Sequence, residues 1–137
     1  MREILFRGRR KDNVEWVYGD LLNVGVDYDC AIRTYGSREH GQVNAVDEKT
    51  VGQFTGLTDN NGKKIFEGDV VKITIGDLRK IGTVKYSERA GSVGIIEPDK
   101  NWNFSFMQQP LVKQYNIIVI GNIFDIIEKR EITNENK

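Results

Sequence analysis

The chain reads as a mostly β protein: one small domain of short antiparallel strands, with an SH3-like barrel portion and little helix. Three observations predict this. Asn61-Gly62 lies between two apolar runs, and this dipeptide makes a tight hairpin turn because Asn and Gly reach positive φ most cheaply. Residues 70–75 (Val-Val-Lys-Ile-Thr-Ile) are β-branched and alternate with period two, as a half-buried strand requires. Fourteen glycines against two prolines in 137 residues fit many turns between short strands.

Taken in order, Ile4 and Phe6 alternate with Glu3, Leu5 and Arg7 as a first strand. Residues 9–13 (Arg-Arg-Lys-Asp-Asn) form a charged turn. Val14, Trp16 and Tyr18 then share one face of a second strand that pairs with the first. Gly19-Asp20 is expected to kink that strand before Leu21 and Leu22. Residues 28–34 read as a third strand, 35–42 as an exposed loop, 43–46 as a short strand, and Asp47-Glu48-Lys49 as at most a helical turn.

The centre runs from 51 to 75. Gly52 and Gly56 punctuate its first strand, and Asp59, Asn61 and Gly62 shape the turn. Gly68 and Asp69 then bend the chain into the β-branched strand, with Val71, Ile73 and Ile75 on one face. Gly76-Asp77 turns it back, and 80–86 returns with Val84 and Tyr86 inward. Another turn at 89–92 leads into a strand over 93–96, and 98–103 is a loop. Ile117-Ile118-Val119-Ile120 lacks alternation, as expected of a strand covered on both faces, before Gly121-Asn122 turns the chain. No segment carries 3.6-residue periodicity over a normal helix length. The expected organisation is a single domain over 1–130, with N-terminal hairpins in 1–50, a barrel-like part in 51–127, and a polar flexible tail over 131–137.

Twenty basic and twenty acidic residues cancel, so the formal net charge is zero. That argues against nucleic-acid binding by bulk charge and favours self-association. Cys30 is the only cysteine, which excludes an internal disulfide and a thiolate cluster. No apolar run approaches the roughly 18 residues of a membrane helix, and 1–4 does not open a signal peptide. A soluble protein of a reducing bacterial cytoplasm, without membrane association, is the expectation.

The residues quoted above also carry a likeness. Phe6-Arg7-Gly8, the run from Trp16 to Leu21, the run from Val51 to Leu57, the stretch 59–69 and Ile120-Gly121-Asn122-Ile123-Phe124 together resemble the YopX-type proteins of phages and prophages. They spread over nearly the whole chain in the family's order. The resemblance implies a mostly β fold, a phage or prophage origin and a homo-oligomer. It assigns no catalytic or ligand-binding residues.

Tested for chemistry, the chain offers little. Gly56 to Lys64 fails as a phosphate loop, because five residues separate its glycines and Lys64 replaces the needed hydroxyl. Asp59 fails as the start of a calcium loop, because Lys63 and Lys64 stand at its fifth and sixth positions. His40 and Cys30 alone give zinc no ligand set. Glu67 and Asp69 share a face if extended, which could pair two acids; the simpler reading has Asp69 bonding turn amides while Glu67 faces water. No catalytic, cofactor or metal site is therefore expected.

Two surface candidates remain. Arg7, Arg9, Arg10 and Lys11, beside Trp16 and Tyr18, could hold phosphates and stack bases; the simpler reading is a solubilising hairpin tip with core aromatics. Trp102, Phe104 and Phe106, followed by Met107, form an aromatic stripe that is core, a subunit interface, or a base-stacking or ligand platform. The function expected is a non-enzymatic accessory module, a homo-oligomeric β scaffold that binds a phage or host protein. The alternatives are a small nucleic-acid-binding module using the 7–11 tip, and a hydrolase built on Glu67, Asp69 or His40.

Overall fold

The computed structural model describes residues 3–22, 30–34, 41–89, 91–97, 103–104 and 108–125. Strand dominates, as the alternating and β-branched runs require. The chain divides into two compact units, Met1–Gly56 and Leu57–Lys137.

The first unit contains β1 (Phe6–Arg9), β2 (Trp16–Leu22), β3 (Ala31–Thr34), β4 (Val43–Ala45), a 3-10 turn (Glu48–Thr50) and the start of β5 (Gly52–Thr58). Its antiparallel sheet runs β4-β3-β2-β1-β5. The expected first hairpin is present, with Phe6 opposite Gly19 and Arg9 opposite Trp16. Its turn is longer than the sequence suggests. Val14 belongs to the turn, with φ 56, and β2 begins only at Trp16.

Gly19 does not kink β2; it sits between Phe6 on one neighbour and Thr34 on the other. A Cβ there would overlap the Arg33 carbonyl oxygen, so glycine is needed for close strand approach. Ile32 and Val46 are fully buried, and the space over Gly8 is filled by these same two side chains. The Thr50 hydroxyl binds the 3-10 turn to β1: it accepts from the Arg9 amide at 2.9 Å and donates to the Asp47 carbonyl at 2.6 Å.

The second unit adds β6 (Lys64–Phe66), β7 (Asp69–Ile75), β8 (Leu78–Ser87), β9 (Ser92–Ile96), β10 (Asn103–Phe104), α1 (Gln109–Gln114) and β11 (Ile118–Asn122). β6 neighbours the far end of β5, and the remaining strands form a second antiparallel sheet in the order β10-β9-β8-β7-β11. This sheet is open, so the barrel-like portion does not close among the described residues.

One face of the second sheet builds a core. Ile65, Val71, Ile73, Val84, Ile95, Val112 and Ile117 are buried together, with Leu57, Ile75, Val93, Tyr115 and Val119 against them. Fully burying such a side chain contributes about 1.5–3 kcal/mol. Gly82 keeps β8 close to this layer, because a Cβ there would lie 2.5 Å from the Ile95 side chain.

Four expectations change here. Tyr86 is exposed at the end of β8, although Val84 is buried as expected. β11 is not covered on both faces, since Ile120 is 48% exposed at a register shift between Val119 and Gly121; it is also the edge strand of its sheet, paired with β7. The apolar run misled because edge and central strands share composition. Gly52 and Gly56 lie within β5 and Gly121 within β11 instead of at turns. Finally, α1 is a helix that periodicity missed, since six residues hold too little pattern; Pro110 in its first turn was the available signal.

Candidate functional site

The basic hairpin tip is the first candidate. β1 and β2 place Arg7 opposite Tyr18 and Arg9 opposite Trp16, so the two cations and two aromatics lie on one face. Arg7 is nevertheless buried, and its guanidinium carbon stands 4.9 Å from the Trp16 ring centroid. That contact satisfies the positive charge against the ring quadrupole inside the protein.

Arg10 turns toward Asp12, donating through Nε at 2.9 Å and Nη2 at 2.7 Å. This bidentate hydrogen bond lowers the Asp12 carboxyl pKa and raises that of the Arg10 guanidinium. Arg9 is half-buried, leaving Lys11 and Tyr18 as the exposed members of the six. The residues meet as the sequence suggests, but two of the four cations are spent on Trp16 and Asp12.

The second candidate is the central turn, which holds the buried carboxylate of Asp59. Lys63 carbonyl accepts from the Asp59 amide at 2.7 Å, and Asp59 carbonyl accepts from the Gly62 amide at 2.9 Å. Positive φ falls on Gly62 alone, at 86°, so the loop holds three residues with a glycine bulge instead of two in a primed turn. Asp59 itself is 4% exposed. Its Oδ1 accepts from the amides of Asn61 (2.9 Å) and Lys63 (2.8 Å), and its Oδ2 accepts from Val119 (3.0 Å). Both carboxylate oxygens are engaged with backbone.

Asn60 completes this arrangement. Its amide donates to the Ile117 carbonyl at 2.9 Å, and its Nδ2 donates to Asn116 Oδ1 at 2.6 Å. Together Asp59 and Asn60 occupy the outer edge of β11 as a partner strand would. Gln109 does the same for β5: its side-chain amide accepts from the Thr58 amide at 3.1 Å and donates to the Thr58 carbonyl at 2.8 Å. Sequence reasoning missed Asn60 and Gln109, and no local signal marks them, since their partners lie 56 and 51 residues away.

A second buried acid behaves similarly. Asp69 is buried and its Oδ2 accepts from the Phe66 amide at 2.8 Å, as the turn reading of Asp69 anticipated. Gly68 has φ 89 and joins β8 to the helical turn after β11, donating to the Val84 carbonyl and accepting from the Ile123 amide. Gly56 has φ 86 within β5. Asn122 Oδ1 caps the helical turn over 123–125, accepting from Phe124 and Asp125, while its Nδ2 donates to Asp125.

Among the described residues, no group of three or more His, Cys, Asp or Glu side chains could hold a metal ion. Also among them, no helix is long and apolar enough to cross a membrane. His40, Trp102, Phe106 and Met107 lie outside the described residues, as does the tail over 131–137. Phe104 lies on β10, paired with Ile95.

A family model described as YopX protein matches residues 5–128. Among solved structures, the chain is similar to the crystal structure of protein EF1440 from Enterococcus faecalis, at 23% identity and a TM-score of 0.57. That likeness covers 90% of this chain and 94% of the other, and it supports the fold. No curated protein sequence matches the chain.

Proposed function

The chain belongs to the YopX family, and from that premise we propose that it is a non-enzymatic accessory protein of a phage or prophage. It works in the bacterial cytoplasm as a homo-oligomeric β scaffold that binds a phage or host protein. The observation that supports this reading is the employment of the buried acids. Asp59 and Asp69, the carboxylates most withdrawn from water among the described residues, accept backbone hydrogen bonds that hold turns and a strand edge. A general base needs a lone pair free to meet substrate, and both Asp59 oxygens already meet amides.

The strands also carry large apolar side chains in water, including Val43 at 52%, Leu78 at 62% and Ile81 at 51% exposure. Zero formal charge gives copies of the chain little mutual repulsion. Light scattering of the purified chain is expected to give a multiple of the single-chain mass, and a tagged chain is expected to retain a defined protein from host or phage-infected lysate. A monomer that retains nothing overturns the proposal.

The nucleic-acid alternative, resting on the 7–11 tip, predicts binding that weakens steeply with salt and falls in Arg9→Glu/Arg10→Glu. No mobility shift at about 50 mM salt removes it.

A further inference from the structure

Asn61-Gly62 is the single Asn-Gly pair in the sequence, and the fold places both residues at an exposed tip. Five other asparagine side chains are held. Asn13 bonds Glu15, Asn44 is buried against the Ile32 and Gln42 carbonyls, Asn60 bonds Asn116, and Asn122 caps the turn that follows it. The Asn61 side chain hydrogen-bonds to no described residue. Gly62 presents no Cβ, and one built there would meet nothing within 4 Å. No side chain at position 62 therefore crowds a ring closed between its nitrogen and the Asn61 carboxamide.

We propose that Asn61 is a site of spontaneous self-modification whose product uncovers the edge of β11. The Gly62 backbone nitrogen gives up its proton to solvent base and bonds to Asn61 Cγ. The Cγ–Nδ2 bond breaks, ammonia leaves carrying the proton it needs from water, and a five-membered succinimide closes. Water then adds to one ring carbonyl. Opening at the side-chain carbonyl gives aspartate, and opening at the main-chain carbonyl gives isoaspartate, in which the chain runs through the former side chain. No oxidant, metal or cofactor enters the balance.

Two hydrogen bonds set the pace. The Gly62 amide donates to the Asp59 carbonyl at 2.9 Å, and the Asn61 amide donates to Asp59 Oδ1 at 2.9 Å. Attack waits for the tip to open, so the folded chain reacts more slowly than the unfolded one. Isoaspartate adds one backbone atom between the amides of residues 61 and 63, which share Asp59 Oδ1. The lengthened loop cannot keep both on that oxygen, and Asp59 is drawn away from Val119.

The test is to age the folded, full-length protein at mildly alkaline pH and map the peptide that spans position 61. The expected result is loss of the amide form, isoaspartate exceeding aspartate, and an acidic shift of one charge. The isoaspartate fraction should also lose protection of the Val119 amide in hydrogen exchange. Asn61→Asp, which adds the charge without lengthening the backbone, should keep that protection. The proposal is overturned if Asn61 of the folded protein stays intact over many times the period in which urea-unfolded protein converts. It is equally overturned if isoaspartate forms while Val119 stays as protected as in fresh protein.

Discussion

Asp59 Oδ2 accepts a hydrogen bond from the Val119 amide at 3.0 Å, across sixty positions of sequence. This one contact joins the tip of the central hairpin to the last strand of the second unit. With the Asn60 amide on the Ile117 carbonyl, it gives the outer edge of β11 a partner where the sheet itself ends. An uncovered edge presents unpaired amides and carbonyls to other chains, so the cap works against unwanted pairing.

Asp59→Ala leaves the amides of Asn61, Lys63 and Val119 without their acceptor. Hydrogen bonds to a charged group contribute about 1.5–3 kcal/mol each, and the three share one side chain, so a loss of about 2–4 kcal/mol is expected. Urea unfolding measures it, and hydrogen exchange should show Val119 among the amides that speed up most. A stability change within about 0.5 kcal/mol, the range of ordinary surface substitutions, contradicts the assignment.

Gly19→Ala places a Cβ against the Arg33 carbonyl in the middle of the first sheet. The β2–β3 ladder has to separate, at a cost of about 1–3 kcal/mol or more. The denaturation midpoint should fall accordingly. An unchanged midpoint means that the two strands are not so close.

Val14→Asn should act in the opposite direction. A β-branched residue at φ 56 is strained, by roughly 1–2 kcal/mol, and asparagine tolerates this region better. The substitution should stabilise the protein by about 1 kcal/mol. A lowered melting temperature counts against a left-handed backbone at this position.

Asp12 gives a pH test at the hairpin tip. Its folded pKa is depressed by the hydrogen bond from Arg10, so its contribution is present above the ordinary carboxylate value. It is lost as pH falls from that value through the folded one. Because the pair is in solvent, the effect is small and screened by salt. Asp12→Asn should flatten the acid limb of the stability profile slightly, and a steeper limb contradicts the sign.

Several features were legible because they are decided within a few residues. Alternation in 70–75 marked Val71, Ile73 and Ile75 as the face of β7 that joins the core, since period two sends neighbours to opposite faces, but not that Val70 on the other face is buried too. Asp69 in Glu-Gly-Asp was readable as a turn acceptor, and so was a hairpin at Asn61-Gly62, although its three-residue loop was not. The burial of Arg7 was not readable. A basic run at a hairpin tip looks solvated until the register sets the guanidinium beside Trp16.

The sequence by itself determined a mostly β chain of short antiparallel strands, with its turns at glycine-rich points, because φ preference and side-chain alternation act locally. Only the tertiary structure decided that Ile118–Asn122 is an edge, that Asp59 and Asn60 cover it, and that Gln109 completes Thr58. Those outcomes depend on backbone groups finding acceptors fifty or more residues away, and no local preference encodes which distant amide will need a partner.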